Sequence, residues 1–417
     1  MKVYKFGGAS VKNAEGVKNV AAILQKDTCE DLVIVISAMG KMTNAFESLV
    51  SDVLEKENHL STLNSIKQYH QEIIDSLFND TSSVQPKINT LFEALELDIR
   101  KINLQDYDFV YDQLVGYGEL ISTTIVSDYL NLTGVINQWQ DVRKLILTDS
   151  TFRDAKVDWK LSGKAIKNSV NKGVITLVQG FLGGDSKKNT TTLGREGSDY
   201  TAGIFAYCLN AESVTIWKDV DGVLNADPRV FSSTTLLNQI SYEETIEMAF
   251  YGASVVHPKT IQPLQKKEIP LFVKSFINPK AEGTKVTRGV SLLPKIPCYI
   301  VKKNQILVSI SAKDFSFVVE NNISYLFKLL HDYQLKVSLI QNSAISFSVC
   351  IDNKFKHFDT FINQLSSLFR VQYHKGVDLY TIRHFNEESI AQIHSKGTSL
   401  LTQTTQETTQ IVVKGSE

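Results

Sequence analysis

"VYKFGGASV" (Val3–Val11) decides how this chain is read. A short apolar run with one lysine passes into two glycines and a small hydroxyl residue. Val17, Val20, Ala21 and Leu24 then recur at helical spacing, which makes the opening a strand, a glycine turn and a helix. The turn fits two readings. It is a tight reversal that needs the backbone freedom of glycine. Or it is an anion site, with bare glycines leaving backbone N–H groups open to a phosphate and Lys5 adding a positive charge beside them. The GxxxxGK[ST] spacing of the P-loop is absent, so a nucleotide site here needs another architecture.

Working outward, "LVIVIS" (Leu32–Ser37) reads as a strand buried on both faces, as in a parallel sheet. The pattern from Thr43 to about Leu130 is largely helical, with turn signals near Asn79–Pro86. Within it, Leu114, Gly118, Ile121, Ile125 and Asp128 share a helical stripe. Strand-like runs return at Gly134–Ile136, Val174–Val178 and Val214–Trp217, separated by helical stretches. This alternation predicts an α/β domain with a mostly parallel sheet. Ser241, Glu244 and Gly252 bracket a further helix with capping signals at both ends. The strand Ile269–Phe276 and a turn-rich stretch, Ile277–Val286, follow. From about Tyr299 the elements run β-α-β-β-α-β, a ferredoxin-like order. A tail from Glu387 adds one short helix and a threonine-rich, strand-like end.

A chain of 417 residues has room for two or three domains. Its net charge of -1 gives no general field to draw nucleic acid or an anionic membrane, so any anion site is local. Cys29, Cys208, Cys298 and Cys350 lie far apart, with neither metal nor redox spacing, and read as buried thiols of a reducing compartment. No signal-type segment and no run of 18 apolar residues occurs, so the expectation is a cytoplasmic protein.

Two further stretches carry chemistry. In "TTLGREGSDYTAGIFAY" (Thr191–Tyr207), Gly194 and Gly197 bracket Arg195, and Ser198 and Asp199 stand where a helix begins. This fits either a helix capped by Ser198 or Asp199 or a guanidinium presented to grip a carboxylate. "WKDVDGVLNADPRVF" (Trp217–Phe231) leaves a strand and carries Asp219, Asp221, Gly222, Asp227, Pro228 and Arg229 in a polar loop. Its DG and DPR units fit turn chemistry, and its place after a parallel strand fits ligand binding. Glu119, beside Gly118 on a largely apolar helix, must be solvated or paired. His257 before Pro258 reads as a loop hydrogen-bonding residue, and no Ser/His/Asp set stands out.

Taken in order, "KFGGASV", "VISAMGKMTN", "GYGELIST", "LGREGSDYTA", "WKDVDGVLNADPR" and "EMAFYGASVVHPKTI", followed by an ACT-type region, resemble the aspartokinase family over nearly the whole chain. The resemblance implies a three-layer αβα catalytic domain (residues 1–286) and an ACT-type α+β regulatory and dimerisation region (residues 299–417), its second ACT unit apparently truncated. It implies transfer of the ATP γ-phosphoryl group to L-aspartate with Mg²⁺ held mainly through the ATP phosphates, in a homodimer or higher oligomer. By motif, Lys5, Gly7 and Gly8 would hold phosphate, with Lys5 and Asp199 catalytic. Ser37, Thr43, Glu119, Arg195 and Ser198 would bind aspartate, Glu119 taking its ammonium and Arg195 its α-carboxylate. Lys218, Asp219 and Arg229 would serve ATP.

The chain departs from the family pattern in four places. Glu196 replaces glycine beside Arg195, Lys218 replaces threonine, Leu224 replaces a tyrosine near the base, and Ser254 replaces lysine. Lysine-sensitive members carry acidic residues along the stretch aligned with Val337–Ser346, where this chain has Ser338 and Ala344. Weak or absent inhibition by lysine is therefore expected, with the ACT region acting mainly in dimerisation.

Overall fold

The computed structural model describes the chain except residues 28–30, 105, 254–255, 315–316, 318, 353, 355–356 and 416–417, so Cys29 and Ser254 lie outside the described residues. The chain divides into two compact units. The first holds Met1–Val223, Leu236–Ile246 and Val255–Leu293; the second holds Leu224–Thr235, Glu247–Ser254 and Pro294–Glu417. Residues 224–235 and 247–254, which the sequence reading places in the catalytic segment, thus group with the C-terminal region.

In chain order the elements up to residue 287 are β1 (Lys2–Phe6), α1 (Ala14–Lys26), β2 (Leu32–Ile36), α2 (Met42–Leu54), α3 (His59–Leu77), α4 (Gln85–Lys101), α5 (Tyr107–Leu132), β3 (Asn137–Gln140), α6 (Trp159–Ser169), β4 (Ile175–Gln179), β5 (Leu182–Gly184), β6 (Thr190–Thr192), α7 (Gly197–Leu209), β7 (Ser213–Lys218), β8 (Gln239–Ser241), α8 (Tyr242–Tyr251), α9 (Pro258–Lys266), β9 (Leu271–Ser275) and β10 (Thr284–Thr287). Eight strands form one sheet in the order β3-β4-β2-β1-β7-β9-β10-β8. Every pair in it is parallel except β9–β10. All five residues of β2 are buried, so both faces of this strand are covered, as its unbroken apolar run predicts. Helix α7 packs on β1, β2 and β7, while α5 packs on β2, β3 and β4.

The sheet is built outward from β1. The chain goes from β1 to β2 on one side and later returns to β7 on the other. This is the switch point at which open α/β sheets form a crevice beyond the carboxyl ends of their strands. Lys5 sits on that strand, in register with Val35 of β2 and Ile216 of β7.

Two sequence expectations shift here. The strand read at Gly134–Ile136 begins later, at Asn137, because Gly134 takes a positive φ of 86° and turns the chain. The helix expected after Ser241 forms as read, with the Ser241 hydroxyl accepting from the Glu244 N–H at 3.0 Å.

The second unit contains β11 (Cys298–Ala312), α10 (Glu320–Asp332), β12 (Lys336–Asn342), β13 (Ser346–Asp352), α11 (Phe358–Leu368), β14 (Phe369–Arg383), α12 (Glu387–His394), β15 (Gly397–Thr404) and β16 (Thr408–Gly415). Its six-stranded sheet runs β12-β13-β11-β14-β16-β15 with antiparallel neighbours. The final strand of the β-α-β-β-α-β order runs from Phe369 to Arg383. Gly376, with φ of 70°, joins the two parts of β14, and β11 shifts register between Lys302 and Gln305. The part of β14 beyond this break pairs with β16, and the threonine-rich tail forms the β15–β16 pair. Ile306, Val308 and Ile310 pack with Leu329, Phe361 and Leu365 in one core, and Tyr380, Ile382, Ile393 and Ile411 build another. Cys208, Cys298 and Cys350 are buried free thiols. Among the described residues no helix is long and apolar enough to cross a membrane.

Candidate active site

At the end of β1 the chain turns through Gly7 and Gly8 into a short 3₁₀ turn. The glycines are bare for reasons of packing. A Cβ on Gly8 would stand 2.6 Å from the Gly40 carbonyl oxygen and 2.9 Å from that of Ala38. The Gly40 N–H also donates to the Gly8 carbonyl at 3.0 Å, so the loops after β1 and β2 lie backbone to backbone. A Cβ on Gly7 would stand 3.1 Å from the Lys5 Nζ, so the missing side chain makes room for the ammonium group. Each glycine thus has a packing reason of its own.

Lys5 and Asp199 form the centre. Lys5 Nζ lies 2.8 Å from Asp199 Oδ1, with the side chains only 12% and 5% exposed. Asp199 is in the first turn of α7 and does not cap it; Glu196 holds the N-cap position without a side-chain bond. The capping alternative for Asp199 therefore fails, because its carboxylate serves Lys5. Burial alone would raise the Asp199 carboxyl. The charges of Lys5 and Lys218 and the Lys5 hydrogen bond nevertheless hold it below the usual carboxylate range. Lys218 reaches this place by strand geometry. Lys5 is in register with Ile216, side chains alternate faces, and Lys218 therefore points to the same face as Lys5.

Glu119 is buried (2% exposed), and its Oε2 has no hydrogen-bond partner. Burial pushes its carboxyl up to about 8, against the weaker opposing effect of the Glu119 and Ala38 backbone N–H groups. Gly118 lets the helix approach: a Cβ there would stand 3.2 Å from Phe46 and 3.4 Å from Ala38. One turn on, the Ser122 hydroxyl donates to the Ser37 carbonyl at 2.7 Å. Thr43 lies in the first turn of α2, half-buried.

The loop before α7 completes the first unit's set. Arg195 is exposed and makes no hydrogen bond or ion pair among the described residues. Glu196 takes a left-handed φ of 54° and turns away from it, accepting from the His257 N–H at 2.9 Å. The departure at Glu196 thus leaves Arg195 unopposed. His257 caps α9, its Nδ1 accepting from the Lys259 N–H at 3.2 Å, as its loop reading suggests. Ser198 packs on Gly180, where a Cβ would come within 2.5 Å of its hydroxyl. Asp219 is exposed just beyond β7.

Arg229 belongs to the second unit, is 80% exposed, and its Nη2 is held by Asp227 at 2.6 Å. Sequence reasoning missed Asp112, Gly40 and Gly180, which shape the site from behind. Among the described residues no cluster of three or more His, Cys, Asp or Glu side chains could hold a metal ion.

Residues 1–275 match the amino acid kinase family, and the switch-point crevice with its lysine–carboxylate pair sits within them. The lysine-sensitive aspartokinase 3 of Escherichia coli is 32% identical over 395 residues, covering 91% of this chain and 86% of that protein. The structure of E. coli aspartokinase III in complex with lysine and aspartate superposes with a TM-score of 0.84 at 28% identity, covering 100% of this chain and 96% of that one. The same enzyme with aspartate and ADP gives a TM-score of 0.81 at 27% identity, with the same coverage. The chain belongs to the amino acid kinase family and, within it, to the aspartokinases.

Proposed function

We propose that this protein transfers the γ-phosphoryl group of ATP to the β-carboxylate of L-aspartate, giving 4-phospho-L-aspartate, the first step toward lysine, threonine and methionine. One observation carries the substrate assignment. Buried Glu119 has an oxygen without a partner, whereas the other buried carboxylate among the candidate groups, Asp199, is paired with Lys5. A free ammonium group answers that carboxylate and an N-acylated amine would not. Arg195 then takes the α-carboxylate.

A carboxylate is already a nucleophile at neutral pH, so the transfer needs positioning and positive charge rather than a strong base. Lys5 supplies charge for the phosphoryl group in transit, and Lys218, on the same sheet face, adds to it at the ATP side. Asp199 holds the Lys5 ammonium in place. Gly7 and Gly8 hold the loop on which the phosphates rest, while Ser37, Thr43 and Ser198 line the acceptor side and Asp219 the ATP side. Mg²⁺ would arrive on the ATP phosphates, lowering their charge. Arg229 remains assigned to ATP by motif alone.

The test of this reading is the pH dependence of aspartate binding. Glu119 is neutral below about 8 and must lose its proton to pair with an ammonium group. Aspartate affinity should therefore rise with pH up to about 8, by at most about tenfold per unit, and level off while the substrate amine stays protonated. Glu119→Gln should bind weakly with no such rise. A wild-type affinity that is flat between pH 6 and 8 would remove the Glu119 assignment.

In the second unit, the Lys302 Nζ donates to the Ser338 hydroxyl at 3.2 Å, and burial, with the charge of Lys336, lowers the Lys302 ammonium. A resident cation at the Ser338 stretch disfavours a cationic effector. We expect lysine at millimolar concentration to leave most of the activity; substantial inhibition in a kinase assay would contradict this. Strand β12 forms an edge of its sheet, with Ile340 40% exposed, and supports placing chain pairing in this unit. A monomeric mass by light scattering would remove that role.

A further inference from the structure

Asp112 is fully buried on α5, a position where an apolar side chain would be the ordinary choice. Its carboxylate accepts three hydrogen bonds. Oδ2 takes the Arg153 N–H at 3.0 Å and the Thr192 N–H at 2.8 Å, and Oδ1 takes the Thr192 hydroxyl at 2.7 Å. Both partners are structurally placed. Thr192 ends β6 and lies three residues before Arg195. Arg153 has a left-handed φ of 64°, which a non-glycine residue adopts only when its surroundings hold it. The two partners' segments run together: the Ala155 N–H donates to the Thr192 carbonyl at 2.9 Å. A Cβ on Gly194 would stand 2.5 Å from Asp154 Oδ1. Arg153 is further fixed by its guanidinium, 4.4 Å over the Tyr111 ring.

Asp112 and Glu119 are seven residues apart on α5, two turns and roughly 10 Å along one side of the helix. We propose that Asp112 is a positioning residue that holds the Arg195 loop in register with Glu119, so that one rigid helix sets both ends of the amino-acid subsite. The inference rests on the reading that Glu119 takes the substrate ammonium and Arg195 its α-carboxylate. Asp112 touches neither. It acts by clamping Thr192 and Arg153, the two segments from which the Gly194–Arg195 turn is built.

Steady-state kinetics of the full chain test this. Asp112→Ala should raise the KM for aspartate by about 10- to 100-fold, the effect of a misplaced binding group, with the KM for ATP within about twofold. Asp112→Asn should stay within about threefold of wild type, because its oxygen still accepts both N–H groups and the Thr192 hydroxyl can turn to accept. Asp112→Ala combined with Arg195→Ala should bind aspartate no worse than Arg195→Ala alone, since the first acts through the second. Equal rises in both KM values, or additive effects in the double variant, would overturn the proposal in favour of a general packing role. If Asp112→Ala fails to fold, Thr192→Val removes one of the three bonds and should still raise the aspartate KM selectively, by about two- to fivefold; an unchanged KM would overturn it. An Arg195→Ala variant with unaltered aspartate KM would instead overturn the substrate reading, a separate outcome.

Discussion

Lys5→Met should lower turnover by about three orders of magnitude and destabilise the fold by about 3–5 kcal/mol, and the two effects should be separable. Turnover falls because the side chain paired with Asp199 Oδ1, at 2.8 Å, is also the cation that the switch-point strand presents to the crevice. Loss of one preorganised donor to a developing anion typically costs two to three orders of magnitude. Stability falls for another reason. Asp199 is 4% exposed, and without Lys5 its charge is left in the interior with Lys218 as the remaining cation acting on it. Adding Asp199→Asn to Lys5→Met should restore most of the stability and none of the turnover. Chemical denaturation and initial rates on the single and double variants measure this directly. A Lys5→Met protein that keeps normal turnover would remove Lys5 from the reaction.

The Asp199 carboxyl, held below its ordinary range, contributes stability that is present above the unfolded pKa and lost as pH falls through the folded value. In Lys5→Met that acid-labile contribution should shrink, and the fall in stability below pH 4 should become shallower.

Arg195→Ala should weaken aspartate binding by about 30- to 100-fold while leaving the KM for ATP near its normal value. The guanidinium is exposed, without an internal partner among the described residues, and Glu196 is turned to the His257 N–H. Little structure is therefore lost with it, and the variant should fold as the wild type does. Arg195→Lys should recover only part of the loss, because a single ammonium does not reproduce the planar fork that matches a carboxylate. An unchanged aspartate KM in Arg195→Ala would refute the assignment.

The parts legible in the sequence were those with local causes. The apolar run of β2 announces a strand covered on both faces, and Ser241 with Glu244 announces a helix start. The glycine turn after β1 was visible, yet the reason for each glycine was not. Gly8 is bare because of two carbonyls, of Ala38 and Gly40, from the loop after β2, a contact that no local pattern carries. Asp199 looked like a helix cap because it stands where a helix begins; it lies inside the first turn, and its partner, Lys5, comes from β1, on which α7 packs. Lys218 read as a departure from the family, and only the strand register brings its side chain to the face that carries Lys5. Asp112 was missed because a buried acid on a helix has no signature apart from its hydrogen bonds to residues 153 and 192. The grouping of residues 224–235 with the C-terminal unit likewise depends on contacts distant in sequence, such as the Asn225 carbonyl accepting from the Tyr299 N–H at 2.7 Å.

The central claim, phosphoryl transfer to a carboxylate of aspartate, is tested most directly by trapping the acyl phosphate. With ATP, Mg²⁺ and hydroxylamine, the folded protein should form aspartyl hydroxamate in preference to the hydroxamates of glutamate or N-acetylated amino acids, and the Lys5→Met/Asp199→Asn protein should form almost none. Folded wild-type protein that yields no aspartyl hydroxamate under these conditions would contradict the account.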